Sequence, residues 1–165
     1  MNRKKSIQNI CFAGIIAAIY VVFTEISAIF GLASQAIQVR ISEALCILVC
    51  FTPAAVPGVT VGCLISNLLT SGNLFDIVFG TLATFIGASI GYFLRKRPYF
   101  VPLPTVLSNT LIIPFVIKYA FGFNSESLPF IMFTVCIGEI ISAWVLGIVL
   151  FKVLDRSKVL YDLKK

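Results

Sequence analysis

Histidine is absent from the 165 residues, tryptophan occurs once, and only 12% of positions are charged. A soluble domain carries about 25% charged residues, so this chain is too poor in charge to coat a water-facing surface. The missing histidine excludes the Cys/His zinc patterns, although five cysteines are present: Cys11, Cys46, Cys50, Cys63 and Cys136. Cys46 and Cys50 stand four apart, but two thiols without further soft ligands make a poor metal site. All five lie in or beside apolar runs and are expected to be buried free thiols, with no metal and no cofactor. What remains is 59% hydrophobic, with a mean hydropathy of +1.02, which indicates an integral membrane protein. The net charge of +6 would point to nucleic acid if the basic residues formed one patch, but they stand between long apolar runs. The length suits a single bundle with no separate catalytic or ATP-binding domain.

A helix needs about 20 apolar residues to cross a bilayer core about 30 Å thick. Six runs qualify, at about 7–30, 37–52, 54–70, 74–94, 101–119 and 128–154. The first follows Arg3, Lys4 and Lys5 and resembles a signal peptide, but it is too long for an h-region and lacks a small-residue cleavage site, so it reads as a retained span. Pro53 and Pro57 mark the turn into the third run, and Ser71, Gly72 and Asn73 the next turn. Arg95, Lys96, Arg97 and Pro98 close the fourth, and Pro114 is expected to kink the fifth. The fold class is therefore an all-α membrane protein with six transmembrane helices. With six spans both termini share a side, and that side collects Arg3, Lys4, Lys5, Arg95, Lys96, Arg97, Lys152, Arg156, Lys158, Lys164 and Lys165, leaving Arg40 and Lys118 opposite. Cytoplasmic loops gather basic residues, so both termini are expected in the cytoplasm.

On this topology Glu25, Arg40, Glu43, Asn67, Asp76, Lys118 and Glu139 all fall in the outer half of the membrane. Ionisable side chains there are costly and usually face a bundle interior or a wet cavity, which predicts an outward polar pocket above an apolar floor. Simpler roles compete. Arg40 and Glu43 could form a local ion pair on one helical face, Asp76 could cap its helix, Lys118 could snorkel to headgroups, and Glu126 could be a solvated loop charge. Asn67 and Asn109 could be inter-helix glue, with Asn109 placed too near the cytoplasmic end to join the cluster. Glu139 is deepest, with no basic neighbour in sequence. Small residues also recur four apart: Ala13 with Ala17, Gly14 with Ala18, Gly80 with Thr84, Gly87 with Gly91, and Gly138 with Ser142. Such spacing lets helices approach closely.

Val39-Arg-Ile-Ser-Glu-Ala-Leu, Phe51-Thr-Pro-Ala-Ala-Val-Pro-Gly, Ser66-Asn-Leu, Asp76-Ile-Val-Phe-Gly-Thr-Leu-Ala-Thr84 and the Pro102-Leu-Pro104 stretch with Asn109 after it resemble the QueT family. Those proteins are substrate-binding S components of energy-coupling factor (ECF) transporters, assigned to queuosine precursors. The resemblance implies a bacterial cell-membrane protein of six helices, with both termini inside and a pocket near the outer face. It also implies docking on an ECF transmembrane coupling protein through small residues of the first helix. Ala13 and Ala17 match the alanine-x-x-x-alanine pattern, and Gly14 and Ala18 lie on the adjacent stripe. Two ABC-type ATPase subunits would use the ATP, and the loaded subunit would topple within the membrane.

Queuosine precursors are deazaguanines such as queuine or its aminomethyl precursor, with adjacent N–H and amino donors and often a cationic arm. A carboxylate accepts two such donors at once. The expectation is that Glu139 reads this edge, that Glu43, Asp76 or Glu25 meets the arm, and that Asn67 bonds the ring. An aromatic side chain would stack on the base, though Trp144 lies too far around its helix from Glu139. Alternatives are an S component for another vitamin or nucleobase, a self-contained secondary transporter, for which six spans without an internal repeat argue poorly, and a small intramembrane enzyme, which would need a metal set or a nucleophile with its base.

Overall fold

A computed structural model describes residues 3–31, 39–120, 122 and 127–157, and these are helical almost throughout, without a strand among them. Six rods follow one another. α1 is Arg3–Ile29. α2 is Ile41–Cys50, wound as a 3₁₀ helix. α3 is Ala55–Thr70. α4, Asp76–Phe93, opens with a π-helical segment, Asp76–Gly80. α5 is Pro102–Ala120, after a 3₁₀ turn at Pro98–Phe100. α6, Leu128–Ser157, carries a second π segment at Ile140–Leu146. Glu126, the start of the second run at Ile37, and Lys158, Lys164 and Lys165 lie outside the described residues.

Four of the rods, α1, α4, α5 and α6, are long and apolar enough to cross a membrane; α2 and α3 are shorter. At about 2.0 Å per residue for a 3₁₀ helix, the 10 residues of α2 extend about 20 Å. The bundle wears its hydrophobic residues outward as well as inward: Ile10, Leu69, Phe93 and Phe133 are all well exposed. In water such a surface would aggregate; in a bilayer it is the lipid-facing coat. Together with the helical hydrogen bonding that satisfies the backbone internally, this makes the chain a multi-pass membrane protein.

The innermost element is α2. Every residue from Ser42 to Cys50 is buried, and Leu45, Ile47 and Val49 form the main core with Tyr20, Val59 and Val101. A smaller core joins Ile113 on α5 to Ile131 and Val135 on α6. Pro53 and Gly72 stand in connections as expected, whereas Pro57, expected in the turn, lies within the first turn of α3, where a proline costs no intrahelical bond. Thr52 accepts the Ala54 N–H on its side-chain oxygen at 3.2 Å beside Pro53, and Gly72 takes φ +59°, a left-handed conformation that a side chain disfavours. Pro114 sits inside α5, where it removes the bond to the Thr110 carbonyl.

The small residues act mostly within the bundle. α1 packs closely along α3; a β-carbon on Gly62 would lie 2.6 Å from Tyr20 Cβ and 3.0 Å from the Ala17 carbonyl, and one on Gly58 3.0 Å from the Ala13 carbonyl. Ala17 is buried and Ala13 half-buried in this contact, while Gly14 and Ala18 are exposed on the other flank. Gly87 brings α4 onto α5, where an added β-carbon would stand 2.6 Å from Thr105 Cα. The cysteines are all free, but Cys11 is exposed and Cys136 half-buried, so burial holds for Cys46, Cys50 and Cys63 alone. Cys11 falls on the lipid side of α1, where a small apolar thiol needs no enclosure.

Candidate functional site

One stripe of α1 organises the site. Tyr20, Thr24 and Ser27 recur at i, i+4 and i+7, and all three are buried, facing α2. Thr24 Oγ1 donates to Ser42 Oγ at 2.8 Å, and Ser27 Oγ accepts the Ile41 N–H at 3.1 Å, satisfying one of the free donors at the start of α2. Tyr20 donates its hydroxyl proton to Glu43 Oε1 in a short hydrogen bond. Thr84 Oγ1 reaches the same oxygen at 3.4 Å from α4, and Cys46 Sγ lies 3.4 Å from Glu43 Oε2. The 3₁₀ winding stacks residues three apart, which is what sets Cys46 beside Glu43.

Arg40 does not pair with Glu43. Its backbone is extended, with φ −102° and ψ 99°, so the two side chains do not share a helical face. Instead its guanidinium crosses to Asp76 Oδ2 at 3.7 Å and donates to Asn67 Oδ1 at 3.3 Å. Asn67 in turn donates to the Asp76 carbonyl at 3.2 Å and toward Cys63 Sγ at 3.5 Å. Asp76 is therefore a partner for Arg40 and makes no capping bond. Asn67, Asp76 and Glu43 are almost wholly buried.

Glu139 ends the first α-helical part of α6, immediately before the π segment. It is 6% exposed, and its Oε2 has no hydrogen-bond partner. The side chain of Asn109 lines the same small space as Glu139. Asn109 thus joins the cluster, contrary to the expectation that it lies too near the cytoplasmic end. It stands eleven residues before the end of α5, and Glu139 eleven residues after the start of α6. At 1.5 Å per residue both are about 16 Å from the same edge of these neighbouring antiparallel helices.

Arg40, Glu43, Thr84, Asn109 and Glu139, with Gly80, Ile113 and Val135, enclose a space of about 10 Å³, room for about one water molecule. Small-molecule sites span about 300–1,000 Å³, so the polar groups are held closed against one another. No aromatic residue is among these lining residues, so the expected stacking side chain is not supplied here; Tyr20 serves the site through Glu43 instead. Glu25 and Lys118 are half-buried and outside the lining, as is Trp144. Glu25 sits one residue past Thr24, about 100° around α1 from the polar stripe.

Three carboxylates, Glu43, Asp76 and Glu139, thus meet one guanidinium, Arg40, in a low-dielectric interior. A buried polar atom without a partner is costly, and among the carboxylates lining this space Glu139 leaves its Oε2 unpartnered; outside the lining, Glu25 Oε1 is unpartnered too. The site is built to receive hydrogen-bond donors and positive charge. Both π segments adjoin it, one beginning at Asp76 and the other following Glu139; such extra turns occur frequently at functional sites.

Sequence reasoning missed Tyr20, Thr84 and Asn109. The i, i+4, i+7 spacing of Tyr20, Thr24 and Ser27 carried a signal for the first, and Thr84 lies on a stripe with Asp76 and Gly80.

Comparison with known proteins adds the family. No solved structure matches the chain. The queuosine precursor transporter QueT of Lactococcus lactis subsp. cremoris (strain MG1363) is 34% identical over 95 residues, which is 58% of this chain and 56% of that protein, so the match spans little more than half of the relative's length. The family description "QueT transporter" matches residues 10–156. That match takes in every helix that contributes to the polar cluster, and the chain belongs to the QueT transporter family, a family of transporters and not of enzymes.

Proposed function

We propose that the chain is the substrate-binding S component of an ATP-driven ECF-type importer, and that it captures a deazaguanine precursor of queuosine at the outer face of the membrane. The observation carrying this reading is the convergence of Glu43, Glu139 and Asn109 on one closed space, with Glu139 Oε2 unpartnered. A deazaguanine offers adjacent N–H and amino donors that one carboxylate accepts together; Glu139 takes this edge. The amide of Asn109 bonds the ring beside it, and Glu43 or Asp76 neutralises a cationic arm. Asn67 acts through Arg40, which it helps hold on Asp76. Access for a bicyclic base requires the cluster to open, since the enclosed space is about 10 Å³.

All six helices cross or enter the membrane with both termini cytoplasmic, the basic residues outside the site lying almost entirely on that side. A coupling protein docks on α1. Gly14 and Ala18 present the exposed small pair, and Ala13 and Ala17 back it by letting α3 approach from behind. ATP is consumed by two partner ATPase subunits, and this chain carries no cofactor of its own. Titrating the purified subunit with queuine, its aminomethyl and nitrile precursors and guanine tests the ligand; binding of none of the deazaguanines overturns that part. Uptake that depends on co-expressed ATPase subunits is expected, and uptake by vesicles containing this chain alone would overturn the S-component reading.

A further inference from the structure

A second cavity lies apart from the polar site. It is an apolar groove of about 390 Å³ on the membrane-facing seam between α4 and α5. Two aromatic pairs wall it. Phe75 and Phe79 stack with centroids 6.3 Å apart and planes within 4°, and Phe115 and Tyr119 stack at 6.4 Å and 13°. Leu111 lines it further along α5.

Leu111, Phe115 and Lys118 stand at i, i+4 and i+7, within about 60° of one another around the helix. The groove's last lining residue on α5 is Tyr119; Lys118 precedes it, outside the lining, on the Leu111–Phe115 edge of the groove and about 10 Å above Leu111. It lies in the last turn of α5, at the depth where the span leaves hydrocarbon and a lysine meets headgroups. Lys118 has no acidic partner among the described residues.

From this juxtaposition we infer that the groove is a binding site for one anionic glycerophospholipid, with an acyl chain lying between the aromatic pairs and its phosphate on Lys118. A slot with flat aromatic walls suits a flexible alkyl chain, and a cation at its polar end suits an acidic headgroup. A second copy of the chain is a poorer occupant, because a two-fold contact over this face would turn the Lys118 ammonium groups toward each other.

Native mass spectrometry of the full chain in a non-ionic detergent, titrated with phosphatidylglycerol or phosphatidylcholine, tests the site. The wild type is expected to form a one-to-one adduct with roughly five-fold preference for phosphatidylglycerol, the factor that one modest ion pair supplies. K118Q should bring the two lipids level. L111W, which fills the groove, should weaken both about ten-fold, while V78W, at an exposed position outside the lining, should leave them unchanged. Should L111W lower the unfolding midpoint, the K118Q comparison decides alone. Equal retention of both lipids by the wild type, a ladder of adducts without a one-to-one step, or an unchanged preference in K118Q overturns the inference.

Discussion

Replacing Glu139 by glutamine separates a ligand-reading carboxylate from a structural one, because the two roles predict opposite signs for two measurements. The substitution keeps volume and length but turns one acceptor oxygen into a donor NH₂. In the ligand-free protein Oε2 is buried without a partner, so the substitution takes away no bond at that atom and leaves no new charge unpaired. The unfolding midpoint should stay level or rise. In the complex, one of two ligand N–H groups loses its acceptor and faces a donor instead. Hydrogen bonds to charged groups are worth about 1.5–3 kcal/mol, so affinity for the deazaguanine should fall about 10- to 150-fold. Calorimetric titration gives the affinity. The midpoint is readable with a thiol-reactive dye, since Cys46, Cys50 and Cys63 are free and buried and only Cys11 and Cys136 contribute early signal. Affinity within two-fold of wild type, or a ligand-free midpoint lowered by more than about 3 °C (about 1 kcal/mol for a chain of this size), would refute the reasoning.

The remaining predictions use the same assays. Tyr20→Phe removes the hydroxyl bonded to Glu43 and should cost about 1.5–3 kcal/mol; an unchanged midpoint would show that the bond contributes nothing net. Gly62→Leu drives a side chain into Tyr20, whose Cβ would be 2.6 Å away, and should cost at least about 1–3 kcal/mol through overpacking, seen as lower yield and an earlier midpoint. Gly14→Trp, at a position with nothing within 4 Å of an added β-carbon, should fold and bind ligand as the wild type does while losing co-purification with the ATPase module. Retained co-purification would place the docking face elsewhere.

Helix locations were readable from hydropathy, and for α1, α4, α5 and α6 the apolar run is also long enough to cross a membrane, whereas α2 and α3 are shorter. The winding of the helices was not readable. A ten-residue 3₁₀ run is exceptional, and α2 holds one among buried neighbours from five other helices, a tertiary effect that no local pattern encodes. This winding also explains the Arg40–Glu43 error, since a pairing argued from α-helical spacing fails once Arg40 is extended. Asn109 was misplaced for a different reason. It lies seven residues from the start of α5, near one end by sequence, yet counting eleven residues from the other end puts it level with Glu139. Glu25 attracted attention by its charge, yet the neighbouring Thr24 is the residue on the inward stripe. Among polar residues in a membrane helix, azimuth around the axis separates site from periphery more sharply than charge does.

The 3₁₀ winding of α2 also sets its reach. Ten residues rise about 20 Å as a 3₁₀ helix but about 15 Å as an α-helix, so this winding carries the segment between Arg40 and Phe51 about 5 Å farther than an α-helix of the same ten residues. The extended winding is thus what lets a ten-residue segment, buried on all sides, span more of the depth between the longer helices around it.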